Sequence, residues 1–478
     1  MPNSDVPTSE PEAKRQHHNF TLGILTLAGT AFALQQTMVF PALTTFQEDL
    51  NTSTAWATWV LTGFLVSAAV TTPILGRLGD QYGKERLLLV SLGLFLAGCI
   101  GAAAAWNIWS LIAFRVVSGA GGALFPLSFA IIRDEFPADR VKVAIGLLSA
   151  VFGVGGGFGI VLSGVIVDHI SWRWLFVLGS IPVAASIVLV HRFVPESPVR
   201  SPSRVDVPGA LLLSGALIAL MVSLTEGEHW GWTSARVLGL AVASVVLFVA
   251  WGLVELRSSS PMVDMRMLAH RPVLLTNAAT MVSGFALFSC FVLVPTFVQA
   301  PTSRGYGFGA TATEAGFYLL PTSLALLFSG PAAGLLGRRF GSKWPLAGGM
   351  LIVSFAALAL AFAHDEPWHV VAAGGALGVG VGLAFAAMVA LITENVDATE
   401  TGVATGMNTV VRMIGAVVGG QVGAALLTAQ TIGDTSAPAE SAFTTTFALS
   451  AVAALAASLV ALAIVQKPLR RLVPLCAP

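Results

Sequence analysis

Long apolar runs, separated by short polar segments, make up most of this chain. A helix of about twenty apolar residues is long enough to cross the hydrocarbon core of a bilayer, whereas a buried strand needs only about four to eight. The pattern therefore predicts an all-α integral membrane protein with 14 transmembrane helices. The predicted spans are 20–41, 56–76, 87–106, 108–132, 141–167, 173–194, 207–225, 234–256, 273–299, 312–337, 344–363, 368–392, 402–428 and 443–466.

The composition supports an integral membrane protein. The 478 residues are 55% hydrophobic and only 10% charged, whereas soluble domains are about 25% charged. The three cysteines, Cys99, Cys290 and Cys476, show neither a disulfide framework nor metal-ligand spacing. We expect the lipid bilayer as the surrounding medium, and no nucleic-acid partner, metal or cofactor.

The positive charges predict the orientation, because Lys and Arg accumulate on the cytoplasmic side of membrane proteins. With the N-terminus inside, twenty of the 25 Lys and Arg residues fall on the inner side. Only Arg173, Arg236 and Arg304 fall outside, and Arg115 and Arg412 lie within spans. Both termini are therefore predicted to be cytoplasmic.

An internal repeat divides the chain. The sequence VAIG at 143–146 recurs as VATG at 403–406, an offset of 260 residues. At the same offset Ile132 corresponds to Ile392, Asp134 to Glu394, Gly155 to Gly415 and Gly159 to Gly419. The repeat predicts two similar six-helix halves, with an extra helix pair between them. The predicted division is a disordered cytoplasmic tail (1–19), an N-terminal half (20–195), a linker with two helices (196–271), a C-terminal half (272–466) and a cytoplasmic tail (467–478).

The most specific motif is a short basic segment between the second and third spans. Its residues follow the pattern G-x-L-x-D-x-x-G-[KR]-x-[KR], and they are Gly76, Leu78, Asp80, Gly83, Lys84 and Arg86. This segment resembles the loop between the second and third helices of major facilitator superfamily transporters. We expect its glycines to allow tight turns, its cations to lie at the cytoplasmic surface, and Asp80 to meet a helix N-terminus or an arginine.

A weaker copy of this motif follows the tenth span. It keeps Gly334, Leu336 and Gly341, but Arg338 stands where Asp80 stands in the first copy.

The fifth span is rich in glycine. It resembles the glycine motif of the antiporters of this superfamily, although Gly156 and Ser163 replace a usual proline and glycine. The sequence SWRWLF at 171–176 is similar to that of the branch of 14-helix drug–proton antiporters. Pairs of glycines four residues apart also allow helices to pack closely without any gating role. The glycines concerned are Gly153, Gly155, Gly157, Gly159, Gly415 and Gly419.

Two arginines lie within spans, where an ionisable side chain costs roughly 2.5–3.5 kcal/mol. Arg115, with Gly119 and Gly121, resembles the R-x-x-x-G-x-G motif of the superfamily's fourth helix, which is associated with proton transfer. Arg412 lies in span thirteen. Alternatively, each arginine snorkels or donates hydrogen bonds to backbone carbonyls.

The proton carrier is not evident. The drug–proton branch usually has L-D-x-T in its first helix, but this chain has Gln35 in place of the acid. We expect Gln35 to lie at the depth of Arg115 and to bond either Arg115 or substrate. No carboxylate is predicted in the middle of a span, so the candidates lie near span ends. They are Glu314 and Asp168 on the outer side, and Asp134 and Glu394 on the inner side.

The resemblance implies a monomeric, secondary-active exporter of amphipathic small molecules such as drugs, driven by the proton gradient through alternating access. Its expected location is a bacterial inner membrane. The alternative is export of an anionic or neutral metabolite or lipid, with Arg115 and Arg412 contacting the substrate. A non-transporting membrane receptor agrees less well with the repeat. No Walker A sequence or catalytic constellation suggests an ATP-driven pump or an enzyme. The histidines His229, His364 and His369 fall in outer loops, where solvated side chains are expected.

Overall fold

The computed structural model of the protein describes residues 12–39, 42–52, 54–197, 206–432 and 438–465. Within these ranges the regular elements are helices, apart from one antiparallel bridge between Thr431 and Pro438. A long helix covers each predicted span. The helices are α1 (Glu12–Thr37), α2 (Thr54–Tyr82), α3 (Lys84–Ala103), α4 (Ile108–Glu135), α5 (Ala138–His169), α6 (Arg173–Phe193), α7 (Val207–Trp230), α8 (Ala235–Arg257), α9 (Arg271–Gln299), α10 (Ala312–Phe340), α11 (Lys343–Phe362), α12 (Pro367–Asn395), α13 (Thr401–Ala429) and α14 (Glu440–Leu462). Shorter helices span Leu43–Asp49 and Met265–Ala269.

Eleven of these helices, counted over the described residues, are long and apolar enough to cross a membrane. The protein is therefore an all-helical, multi-pass membrane protein.

The helices extend beyond the apolar runs that predicted them. α1 begins at Glu12, within the stretch assigned to a disordered tail, because the polar residues before the span are good helix formers. The predicted loop between the second and third spans was wrong, because α2 continues to Tyr82 and α3 starts at Lys84, with Gly83 as the only break. Residues 1–11 and 467–478 lie outside the described ranges.

α4 is interrupted at its middle. A 3-10 turn at Ala120–Ala123 joins two α-helical pieces, Ile108–Gly119 and Leu124–Glu135. A Cβ at Gly119 would lie 2.6 Å from the Phe64 carbonyl oxygen of α2. The absence of a side chain at Gly119 therefore lets α4 approach α2 closely, one turn from Arg115.

The first six helices and the last six share one pattern of neighbours. α1 packs against α5 and α6, and α3 against α4 and α6. In the same way α9 packs against α13 and α14, and α11 against α12 and α14. This correspondence follows the offset of the sequence repeat.

Two helix pairs join the first six helices to the last six. α5 packs along α10, and α2 packs along α13. Both contacts rely on glycine. A Cβ at Gly76 of α2 would lie 2.7 Å from the carbonyl oxygen of Gly402, and a Cβ at Gly334 of α10 would lie 2.5 Å from that of Lys142. Only glycine permits such an approach, because any side chain would overlap the facing backbone.

α7 and α8 form a pair at the periphery. α7 packs against α2 and α13, whereas α8 packs mainly on α7. The segment after α8 returns to the core, where Met262, Val263 and Met267 pack with Val403 and Met407 of α13.

Candidate functional site

The motif residues lie at one end of the molecule, which we call the basic end. It comprises the ends of α2, α4, α10 and α12 and the starts of α3, α5, α11 and α13. Asp80 is fully buried there and accepts hydrogen bonds from the amide nitrogens of Gly402 (3.2 Å) and Val403 (3.0 Å). These amides open α13, where the free N–H groups and the helix dipole favour an anion. Asp80 thus has the first of the two contacts expected for it.

Lys84 connects Asp80 to a second acid. It forms an ion pair with Asp134 of α4 and lies 3.9 Å from an oxygen of Asp80. Lys84 is fully buried, so it does not lie at the surface as the motif suggested. Asp134 also accepts a hydrogen bond from Ser197. A buried cation between two carboxylates compensates both charges, and the loss of one partner would leave the others unpaired.

Arg133 extends from α4 to the turn between α12 and α13. Its guanidinium donates to the carbonyl oxygens of Val396 (2.7 Å) and Asp397 (3.0 Å) and to Thr401 Oγ1 (2.5 Å). The fork geometry of arginine suits this arrangement, because its donors can reach several acceptors at once. The turn before α13 is therefore held from α2 and α4 together.

The second copy of the motif makes a matching set of contacts on α5, with charges exchanged. Lys142 of α5 forms an ion pair with Glu394 of α12 (2.7 Å) and donates to the carbonyl oxygen of Gly337 (3.2 Å). Glu394 also accepts from Ser342 (2.6 Å). Arg338 lies 4.0 Å from Asp139 in the first turn of α5. In the first set of contacts, Asp80 of α2 meets the N-terminus of α13. In the second set, Arg338 of α10 meets Asp139 in the first turn of α5.

The hydrogen bonds and ion pairs between the first six and the last six helices cluster at this basic end. The two sets hold α2 and α4 against α13, and α10 and α12 against α5. The basic end is therefore closed in this structure.

Two further motif residues, Gly83 and Arg86, lie at the break between α2 and α3 and at the exposed edge of the basic end. Gly83 has a φ of 122°, and a Cβ there would meet the Glu196 carboxylate, so glycine is required on both grounds. Arg86 is mostly exposed and lies 3.7 Å from Glu196. An exposed pair of this kind contributes little, about 0–1 kcal/mol.

Arg115 is fully buried in the first six helices. Its Nε donates to the Val60 carbonyl oxygen (3.2 Å), and its guanidinium carbon lies 4.2 Å from the centre of the Phe64 ring. Neither Nη1 nor Nη2 has a hydrogen-bond partner among the residues that the structure describes. A cation over an aromatic face is stabilised by the ring quadrupole, although less than by a carboxylate.

The expected bond between Gln35 and Arg115 is absent. Gln35 is fully buried and donates to the Leu175 carbonyl oxygen (2.5 Å), but within the described part of the chain its Oε1 has no partner. Both side chains lie beside the same turn of α6, because Arg115 is also 5.8 Å from the Phe176 ring. The packing of Gln35 against Gly179 holds it on α6 instead of on α4.

Arg412 has the corresponding role of an embedded cation among the last six helices. Its guanidinium carbon lies 4.6 Å from the centre of the Phe385 ring of α12, and the residue is 8% exposed. The sequence did not indicate the nearby polar cluster, in which Asn408 donates to Asn277 (2.8 Å) and Thr280 (2.9 Å). The asparagine within the apolar run of α13 was the available signal.

The glycine face of α5 packs against α1. Gly155 and Gly159 face Ala33 and Thr37, and Thr37 donates a hydrogen bond to the Gly155 carbonyl oxygen. Their counterparts Gly415 and Gly419 of α13 face Met281 and Phe285 of α9 in the same way. The side-chain surroundings of Gly153 and Gly157 lie outside the described residues.

The outer acids are placed less favourably for coupling. Glu314 is exposed and forms a capping box with Thr311 at the start of α10, which is the structural role of a helix-start acid. The side chain of Asp168 lies outside the described residues.

The sequence missed two buried acids, Glu226 near the end of α7 and Glu255 near the end of α8. Both lie at the ends of predicted spans, where apolar periodicity does not show whether a side chain is buried.

One expected loop histidine is buried. His364 is only 6% exposed, and its ring meets Leu360 and Glu440. The prediction of a solvated side chain was wrong because the apolar rings of the α9–α10 segment cover this loop.

The fold has counterparts among known proteins. The human organic anion transporter MFSD10 (TETRAN) superposes with a TM-score of 0.67, covering 95% of this chain and 100% of that protein at 13% identity. At that identity the likeness shows the fold alone.

Several curated relatives are bacterial. The tetracenomycin C resistance and export protein of Streptomyces glaucescens is 28% identical over 382 residues, covering 78% of this chain and 69% of the relative. Multidrug resistance protein 3 of Bacillus subtilis is 31% identical over 326 residues, covering 68% and 62%. The methylenomycin A resistance protein of Streptomyces coelicolor is 28% identical, covering 80% of both chains. The chain thus spans less than two thirds of the second relative's length.

The profile of one transporter family matches most of the chain, over residues 25–420 and 278–474. Membership of this family agrees with the helical fold, with the paired motifs at the basic end and with the named relatives. The chain belongs to the Major Facilitator Superfamily.

Proposed function

We propose that this protein is a secondary-active exporter of amphipathic small molecules such as drugs, driven by the proton gradient across a bacterial inner membrane. Fourteen helices cross the membrane in this proposal, both termini are cytoplasmic, and the monomer is the working unit. The drug and antibiotic resistance named for three bacterial relatives supports the substrate class.

The observation that carries the mechanism is the paired closure of the basic end. Two six-helix halves, 20–195 and 272–466, move as bodies about the α2–α13 and α5–α10 contacts. Their similar helix neighbours support this division. With the basic end cytoplasmic, as the distribution of Lys and Arg favours, the structure corresponds to an outward-facing state. Release of the contacts made by Asp80, Arg133 and Lys142 opens the other state.

Proton coupling is assigned to the acids of the basic end in preference to the outer ones. Glu394 forms an ion pair with Lys142 across the closure, so its loss would change the closure directly. Asp134 forms an ion pair with Lys84, which lies 3.9 Å from Asp80, so its loss would act on the closure through Asp80. Protonation of either acid would remove the charge that its lysine meets, and so favour opening. Glu314 is already satisfied by its helix cap, and Gln35 cannot titrate.

A second candidate is export of an anionic or neutral metabolite or lipid. One observation favours an anion: both Nη atoms of the buried Arg115 lack a hydrogen-bond partner in the described ranges. In this state, however, Phe64 and Phe176 cover the guanidinium. Substrate could reach Arg115 only after these rings moved.

A substrate panel distinguishes the two candidates. Purified protein in proteoliposomes is tested for export of cationic, neutral and anionic amphipathic dyes, and for binding of each dye to the Arg115→Gln and Arg412→Gln variants. The first candidate predicts export of cationic or neutral dyes and intact binding in both variants. Export of anions only, with binding abolished in either variant, would establish the second.

A further inference from the structure

We infer that His364, Asp365 and Glu440 form a binding site for a divalent transition-metal ion, at the end of the molecule opposite the basic end. His364 and Asp365 follow α11, and Glu440 is the first residue of α14. The ligand atoms of the three side chains all lie within 4.8 Å of one another. This inference does not depend on the transported substrate or on the proposed proton coupling.

The orientation of His364 is the observation that points to a cation. Its Nδ1 lies 2.7 Å from the carbonyl oxygen of Leu360, and a carbonyl oxygen can only accept, so Nδ1 carries the hydrogen. In the neutral ring Nε2 is then a bare lone pair, and it lies 2.9 Å from Glu440 Oε1. Two acceptors in contact require a cation between or beside them, either a proton or a metal ion.

The surroundings match those of metal-binding histidines. Such histidines donate their second ring N–H to a backbone carbonyl or a carboxylate, which fixes the tautomer and the ring plane. Here Leu360 fixes the tautomer, and the Phe297 ring packs edge-on to the imidazole with 5.0 Å between centroids. His364 is 6% exposed, so its ring is held without freedom to turn.

The donor set indicates the class of ion. One imidazole nitrogen and two carboxylate oxygens suit Zn²⁺, Co²⁺ or Mn²⁺, with water completing the coordination. Ligand atoms about such an ion are roughly 3.3 Å apart for bonds of about 2.0–2.2 Å. His364 Nε2 and Glu440 Oε1 are 2.9 Å apart and need to separate by only a few tenths of an ångström, which the half-exposed side chain of Glu440 allows. The ligand atoms lie within 4.8 Å of one another, so the exposed side chain of Asp365 would approach by up to about 1.5 Å. The exposed Asp365 leaves the site open to water.

A bound ion would join two elements. It would tie the end of α11 to the start of α14, beside the Tyr306 hydroxyl that donates to the Pro438 carbonyl oxygen. Metal that binds the folded protein would stabilise it, by an amount that rises with the metal concentration relative to Kd.

The test uses the full chain in detergent, free of any histidine tag and treated with a chelator. Co²⁺ is titrated at pH 7.5 and followed by its visible absorbance, and Zn²⁺ is added in competition. Thermal unfolding is recorded with and without Zn²⁺. We expect one site, a higher Tm with Zn²⁺, and affinity lowered at least tenfold in both the His364→Leu and the Glu440→Gln variants. Affinity should also fall at least tenfold at pH 5.5, because the proton competes for Nε2.

His369→Ala is the matched control. His369 is a half-exposed histidine in the first turn of α12, near the same outer loop, and its replacement should leave metal affinity unchanged. Glu440→Gln removes the carboxylate ligand but supplies an amide N–H that can donate to the Nε2 lone pair of His364, so it tests the ligand without removing the contact. Absence of a Co²⁺ signal in the wild type, or equal affinity in all three variants, would overturn the inference. In that case the contact between His364 and Glu440 is an ion pair only.

Discussion

At the scale of single residues, buried charges separate into those with a counter-charge and those without one. Lys84 lies between Asp80 and Asp134, whereas Arg115 meets a backbone carbonyl and an aromatic ring. The sequence placed Arg115 correctly, because a charge within an apolar run is conspicuous, but it predicted Lys84 at the cytoplasmic surface, where the structure has it buried. It could not show which of them would pair, because the partners come from other helices.

Asp80→Asn should weaken closure of the basic end. The amide can still accept from one of the two N–H groups of α13, but it loses the charge that the helix dipole and Lys84 favour. Hydrogen bonds to a charged group contribute about 1.5–3 kcal/mol, so we expect the ratio of closed to open protein to fall about tenfold or more. Transport should fall accordingly, while the protein remains inserted.

Arg86→Gln, in the same motif, is the control for this variant. Its partner Glu196 lies at an exposed rim, so transport should remain near that of the wild type. Full transport by Asp80→Asn would show that the motif serves only to orient the chain in the membrane.

Arg115→Gln should leave folding intact and abolish coupling. The change removes a buried charge whose Nη atoms are unpaired, so the free energy of unfolding should not decrease by more than the loss of the Val60 bond, about 1 kcal/mol. If the arginine supports proton transfer, export should no longer respond to pH while dye binding persists. Thermal unfolding and dye binding are the measurements. A variant that fails to fold would instead assign Arg115 to structure.

At the scale of helices, small residues determine how closely the two halves approach. The sequence repeat predicted matched glycines on α5 and α13, and these face α1 and α9 as the offset requires. The repeat did not predict the crossings of Gly76 on Gly402 and of Gly334 on Lys142. A glycine in an apolar run gives no indication of which neighbour it meets.

Gly76→Leu should prevent the closed state. A Cβ at this position already lies 2.7 Å from the Gly402 carbonyl oxygen, so a larger side chain must separate α2 from α13. Cysteines on either side of the basic end should then label with a membrane-impermeant reagent from the cytoplasm, and transport should stop.

Gly93→Leu on α3 provides the matched control. A Cβ there would meet no atom within 4 Å, so labelling and transport should not change. Unchanged labelling in Gly76→Leu would contradict the assignment of this crossing to the closure.

At the scale of the whole molecule, the sequence predicted the helices and the family, but not the conformational state. Apolar length fixes where helices form, and the motif specifies the superfamily. The state depends on contacts between sequence-distant residues, such as Arg133 with Val396. The burial of His364 was missed for the same reason, because the side chain that packs on it, Phe297, belongs to α9.

The predicted arrangement of 14 helices also predicts the side of the membrane on which each exposed residue lies. Single cysteines at 86 and 339, both exposed at the basic end, should label from the cytoplasm, and cysteines at 230 and 304 from outside. Residue 84 is unsuitable because Lys84 is fully buried. Labelling of residues 86 and 304 from the same side would contradict the 14-helix arrangement.

The most direct test of the central claim is the dependence of export on an imposed pH gradient. Proteoliposomes containing an exported dye, with the protein oriented by selective labelling, are given an acidic medium on the side opposite the basic end. Proton-driven antiport predicts that dye export is faster than without the gradient and that a protonophore removes the acceleration. It also predicts that Asp134→Asn or Glu394→Gln abolishes the acceleration while dye binding persists. Export at a rate independent of the gradient would contradict proton-driven antiport.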